Sequence, residues 1–206
     1  MDVNNIQFTL LEIKITRFIF KHYGEKYNPR KLAKVLNMNH AHANKLCKCL
    51  VKKNLFKIEQ IGNATYFSFN YENVFAINFL KYLLSLEEIL PLKQLVVVFH
   101  ALKKFDKYVD LILIFGSSIK NKDFNDIDIL LVHKKNKAKT INQIKKEIRI
   151  VQLIEKPIRY VDIYEKDIYL NKNNEIFYKI LSDSLTVHGA EKYVEVILKC
   201  HKLKNT

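Results

Sequence analysis

Two stretches constrain what this chain can fold into more than any others: LILIF at residues 111–115 and DIDILLV at 126–132. A five-residue run without a polar position reads as a strand covered on both faces. In the second stretch the period of two places Asp126 and Asp128 on one face of a strand whose other positions are apolar. Gly116, one of four glycines in 206 residues, closes the first run and is followed by Ser117 and Ser118. Glycine there permits a sharp turn and close approach of a ligand to the main chain, and the serines add hydroxyls and amides for phosphate oxygens. Two carboxylates held close together repel, and a divalent cation between them removes the repulsion.

A later strand, IRYVDIYEKD, offers a third carboxylate at Asp162, far enough along the chain for one helix, about 138–155, to intervene. Magnesium held by carboxylates beside a phosphate-cradling loop is the chemistry of nucleotidyl transfer. Gly116-Ser117, Asp126-Ile127-Asp128 and Asp162 together resemble the pattern of the DNA polymerase beta-like nucleotidyltransferases. Among these the chain resembles the minimal nucleotidyltransferases found as antitoxin partners of small helical toxins. The resemblance covers roughly residues 92–190 and implies a mixed sheet flanked by helices. It also implies Asp126, Asp128 and Asp162 as catalytic metal ligands, with Gly116, Ser117, Ser118 and Lys120 at the phosphates of ATP or another NTP. The implied activity is magnesium-dependent transfer of a nucleoside monophosphate, AMP from ATP, to a hydroxyl on a small molecule or on a protein such as a partner toxin. About 40 residues follow Asp162, which favours such acceptors over those of relatives with large acceptor-binding domains. Eight residues separate Ser117 from Asp126, and the Arg-Gly common in this spacer is replaced by IKNKD, where Lys120 or Lys122 can supply positive charge.

The preceding half of the chain has a different period. TLLEIKITRFIFKH at 9–22 repeats apolar residues at helical spacing. Asn28-Pro29 opens a short helix, and Asn39 caps a third with Ala43, Leu46, Cys47, Leu50 and Val51 as its buried stripe. LFKIEQ and TYFSF then flank Gly62-Asn63, a pair suited to a tight hairpin. Three helices and a hairpin resemble a winged helix-turn-helix DNA-binding domain over about residues 8–70. From Lys26 to Ile58 there are nine basic residues and no acidic one. Such a stripe lays lysines on phosphates, and the expected DNA-binding residues are Asn44, Lys45, Lys48 and Lys52 on the third helix.

The whole chain carries 35 Lys and Arg against 21 Asp and Glu, a net charge of +14, which points to polyanionic partners. The basic stretch at 133–146 is either a lining for the triphosphate or acceptor channel or a solvated face. Three cysteines without framework spacing, no leader-like start and no long apolar run lead to the expectation of a cytoplasmic protein that does not span a membrane. His40-x-His42 and Cys47-x-Cys49 are not read as zinc ligands, because residues two apart on a helix point about 200° from one another. The expected fold is thus α+β or α/β, with a winged helix-turn-helix domain at 1–70, a connecting helix at 71–90 and a nucleotidyltransferase domain at 91–206. The helix at 71–90 also suits a homodimer seam. The alternative function is a DNA-binding transcriptional regulator whose nucleotidyltransferase-like domain only binds nucleotide or dimerises.

Overall fold

The computed structural model describes residues 7–150, 154–171 and 174–204. The chain is mixed α+β, with a two-stranded and a four-stranded sheet among the described residues. It divides into two compact units, the first ending at Leu83 and the second starting at Leu84.

In the first unit, α1 (Leu10–Lys21) starts at a capping box, in which the Thr9 hydroxyl accepts from the Glu12 backbone N–H and the Glu12 carboxylate accepts from that of Thr9. Helix α2 (Pro29–Leu36) is capped by the Asn28 side chain and ends at Asn37, which adopts the left-handed conformation. Asn39 caps α3 (His40–Lys52) by accepting from two backbone N–H groups. Strands β1 (Phe56–Ile61) and β2 (Ala64–Phe69) pair antiparallel from Phe56↔Phe69 to Ile61↔Ala64, leaving Gly62-Asn63 as the two-residue turn. The fully buried side chains of Ile15, Phe20, Leu32, Leu50, Leu55 and Phe67 lie at the centre of this unit. Helix α4 (Val74–Glu87) contains the division between the units.

The second unit is organised around the sheet β5-β4-β3-β6. Strand β3 (Leu111–Phe115) pairs antiparallel with both β4 (Ile127–His133) and β6 (Ser184–His188), and β4 pairs parallel with β5 (Ile158–Tyr164). Helices α5 (Val96–Leu102) and α6 (Ala138–Arg149) bury Phe99, Ile141 and Ile144 in one cluster with Ile112, Ile114 and Ile129 of the sheet. Helix α8 (Ala190–Lys204) packs on β3 and β6. The helix α7 (Glu175–Ser182) leads into β6. The Glu87 carboxylate accepts the Thr186 N–H at 2.8 Å and that of Glu88 accepts the Ala190 N–H at 2.6 Å, tying β6 and the start of α8 to the end of α4.

The sequence reading does not anticipate α7 or β6, whose SLTVH offers only five residues of weak alternation. Helix α6 was expected to run to about 155; it is helical to Arg149, and residues 151–153 lie outside the described residues. No helix among the described residues is long and apolar enough to cross a membrane.

Candidate functional site

Gly116 follows β3 directly, with φ +83° and ψ −151°, a conformation that residues with a side chain rarely adopt. A Cβ built on it would stand 2.6 Å from Asp128 Oδ2. The cause is register: Phe115 pairs with Asp128 across β3 and β4, so the carboxylate leans over the turn that begins at the next residue. Ser117–Ile119 form one 3-10 turn. Ser117 is exposed, whereas Ser118 is buried with its hydroxyl turned back to the Phe115 carbonyl at 3.4 Å. Lys120, expected at phosphates, holds Asp183 with its Nζ at 2.7 Å.

Asp126 immediately precedes β4, and Asp128 is the one position of that strand that is half-buried rather than fully buried. Burial raises the pKa of Asp128 above the usual carboxylate range, repulsion from Asp126 adds to the rise, and Arg159 opposes it. Arg159 is paired in register with Asp128 on β5, and its Nη2 lies 2.9 Å from Asp126 Oδ2. The structure therefore brings together Gly116, Asp126, Asp128 and Arg159. Two oxygen-donating carboxylates fit a hard cation such as magnesium, which keeps much of its water and takes one or two protein carboxylates together with substrate phosphates.

Asp162 is not part of this constellation, which corrects the expectation of a third ligand. It pairs in register with Leu131, three residues beyond Asp128. An odd separation puts it on the opposite face of the sheet, about 10 Å further along the strand direction. There its carboxylate meets Lys145 Nζ of α6 at 2.5 Å and His133 Nε2 at 3.4 Å. Among the described residues, no three His, Cys, Asp or Glu side chains are grouped so that they could hold a metal ion. The residue that does stand across from the pair, Arg159, is not singled out by the sequence reading. Its signal was the odd spacing from Asp162 within one strand, legible only once the register of β5 on β4 is known.

In the first unit, Lys45, Lys48 and Lys52 are exposed on α3 and Asn44 is half-buried, while Ala43, Leu46, Cys47 and Leu50 face inward. Val51, expected in that buried stripe, is only half-buried. Burial pushes the Cys47 thiol up to about 12, the state of a neutral core side chain. Of the nine basic residues between Lys26 and Ile58, Lys26, Lys31, Lys53 and Lys57 pair with Glu59, Glu25, Glu12 and Glu72, all of which lie outside that stretch. Arg30, Lys34, Lys45, Lys48 and Lys52 make no ion pair among the described residues. Their charge is uncompensated, and it is concentrated on α2 and α3.

No protein-family model, no curated protein and no solved structure matches this chain.

Proposed function

We propose that the second unit is a polymerase beta-like nucleotidyltransferase domain that binds a magnesium–NTP complex at Asp126 and Asp128. It transfers the nucleoside monophosphate, AMP from ATP, to a hydroxyl acceptor on a protein or small molecule. The observation that carries this reading is the interlock of Gly116 with Asp128: the space a side chain would fill at the turn holds a carboxylate instead. The turn and the carboxylate pair are thus one built feature rather than neighbours along the chain. Asp126 and Asp128 would hold the ion, which supplies neutralisation of the triphosphate and of charge developing on the leaving pyrophosphate. The glycine turn lets phosphate oxygens approach the main chain, and the exposed Ser117 adds a donor.

The first unit, on this proposal, is a winged helix-turn-helix that binds double-stranded DNA through α3. Five unpaired cations on α2 and α3 support the reading, as does an α3 face that keeps Asn44 within reach of solvent among them. Cys47, Cys49 and Cys200 form no disulfide, which supports a reducing cytoplasm.

The test is an intact-mass and pyrophosphate-release assay with each NTP and magnesium, run beside Asp126→Asn and Asp128→Asn. Pyrophosphate or an adduct that disappears in both variants is the expected result. A second reading, a DNA-binding regulator whose second unit binds nucleotide without turnover or only dimerises, is favoured by one observation: the carboxylate expected to complete the site lies on the other face, and Arg159 faces the pair instead. Magnesium-dependent NTP binding without release of pyrophosphate, across a screen of protein, RNA and small-molecule acceptors, would select that reading over transfer.

A further inference from the structure

We propose that Arg159 serves this site in two states: it is the counter-ion of Asp126 while no cation is bound, and it binds the nucleotide's phosphates once a cation takes Asp126. The inference rests on the metal–nucleotide reading above and names the residue that regulates access to it. Register places Arg159 on the same face as Asp128 and directly across from it, and its Nη2 reaches Asp126 Oδ2 at 2.9 Å. The two partners are unequally held. The Asp126 side chain is 17% exposed and that of Arg159 is 70% exposed, so the carboxylate is lodged while the guanidinium can swing on its stem. An ion pair with so exposed a partner contributes little, and a divalent cation displaces it readily. The released guanidinium then stands within one side-chain length of the carboxylate pair, where its planar fork matches two oxygens of a phosphate. Lys120, the cation expected for that task, is turned to Asp183.

A guanidinium with this double part has opposite effects on two ligands, which a purely structural arginine does not. Mn2+ binding to the full chain is followed by electron paramagnetic resonance, and binding of inorganic tripolyphosphate with Mg2+ by calorimetry. These probes make the result independent of base specificity. Removing a competitor for Asp126 in Arg159→Gln is expected to tighten Mn2+ binding about threefold, the scale of an exposed ion pair. The same change is expected to weaken Mg2+–tripolyphosphate binding about tenfold, the scale of one charge-assisted hydrogen bond. Arg159→Lys, which keeps the charge and loses the fork, should leave Mn2+ affinity near wild type and give an intermediate affinity for tripolyphosphate.

If both affinities move in the same direction in Arg159→Gln, or neither moves, the double part of Arg159 is overturned. The metal–nucleotide reading still stands in that case, provided wild-type Mn2+ binding is lost in Asp126→Asn. If the wild type binds neither probe, the reading of the site itself fails and the inference falls with it.

Discussion

At Gly116 a backbone conformation and a neighbouring carboxylate set the same requirement. Gly116→Ala brings a methyl to within 2.6 Å of Asp128 Oδ2 at a φ of +83°, and it is expected to cost roughly 2–4 kcal/mol from strain and displacement combined. Divalent-cation binding should fall with it, because the carboxylate must move. Gly62→Ala is the control: φ is +57° and nothing lies within 4 Å of the added Cβ, so only the left-handed strain of about 1–2 kcal/mol applies. Denaturant unfolding of the two variants should separate these costs. Asp128 behaves oppositely. Its pKa is raised by burial first and by Asp126 second, so the folded state binds its proton more readily than the unfolded state does. The resulting stabilisation is fully present below the ordinary carboxylate range and is lost as pH rises through the raised value. In the absence of divalent cations, Asp128→Asn should therefore melt about 2 °C or more above wild type at neutral pH. The gap should close as the pH is lowered. A melting curve unchanged at both pH values would count against the repulsion.

At the scale of elements, α1 and α3 are joined by a charge pair with one member inside the fold. Glu12 is buried, caps α1 through Thr9, and receives Lys53 Nζ at 2.7 Å. Burial by itself would raise its pKa, but hydrogen bonds from Lys53 and Thr9 and the Lys53 charge outweigh burial, and the pKa is lowered. A lowered carboxylate contributes stability that is present above the ordinary range and lost as pH falls through the folded value. Glu12→Ala keeps the Thr9 cap but removes the reciprocal half of the capping box, the carboxylate that accepts from the Thr9 N–H, and takes from Lys53 its anionic partner, with an expected cost of roughly 1–3 kcal/mol near neutral pH. The cost should shrink below about pH 4, as read from denaturant midpoints over a pH series. This capping box was not read from TLLEIK in advance, although Thr9 and Glu12 have its three-residue spacing. The helices themselves were legible because their apolar period is strong: the caps at Asn28 and Asn39 and the turn at Gly62-Asn63 all form where the residue types place them. Strand β6 was not legible, since a short strand at a sheet edge owes its existence to the partner it pairs with rather than to its own pattern.

At the scale of the whole molecule, a charge of +14 is divided between cations that have acidic partners and those that have none among the described residues. The unpaired set on α2 and α3 is the proposed DNA contact, and its signature is salt dependence. Lys45→Ala with Lys48→Ala should weaken binding of any duplex sequence and reduce the slope of log affinity against log salt by about 2, roughly one for each phosphate contact removed. Asp126→Asn should leave that slope unchanged, because the carboxylate pair belongs to a separate compact unit with its own core. A slope that shifts equally in both variants would show that the two activities are not separable. Composition, period and cap chemistry, all local, were sufficient to determine a fold that mixes helices and strands, most of the helices, and the placing of Asp126 and Asp128 on one face beside Gly116. They could not determine what stands opposite that pair. Pairing across a sheet is a long-range choice, and a shift of one residue reverses the face of every side chain in the strand. The parallel register of β5 on β4 set Arg159 against Asp128 and carried Asp162 to the other face, where Lys145 and His133 receive it.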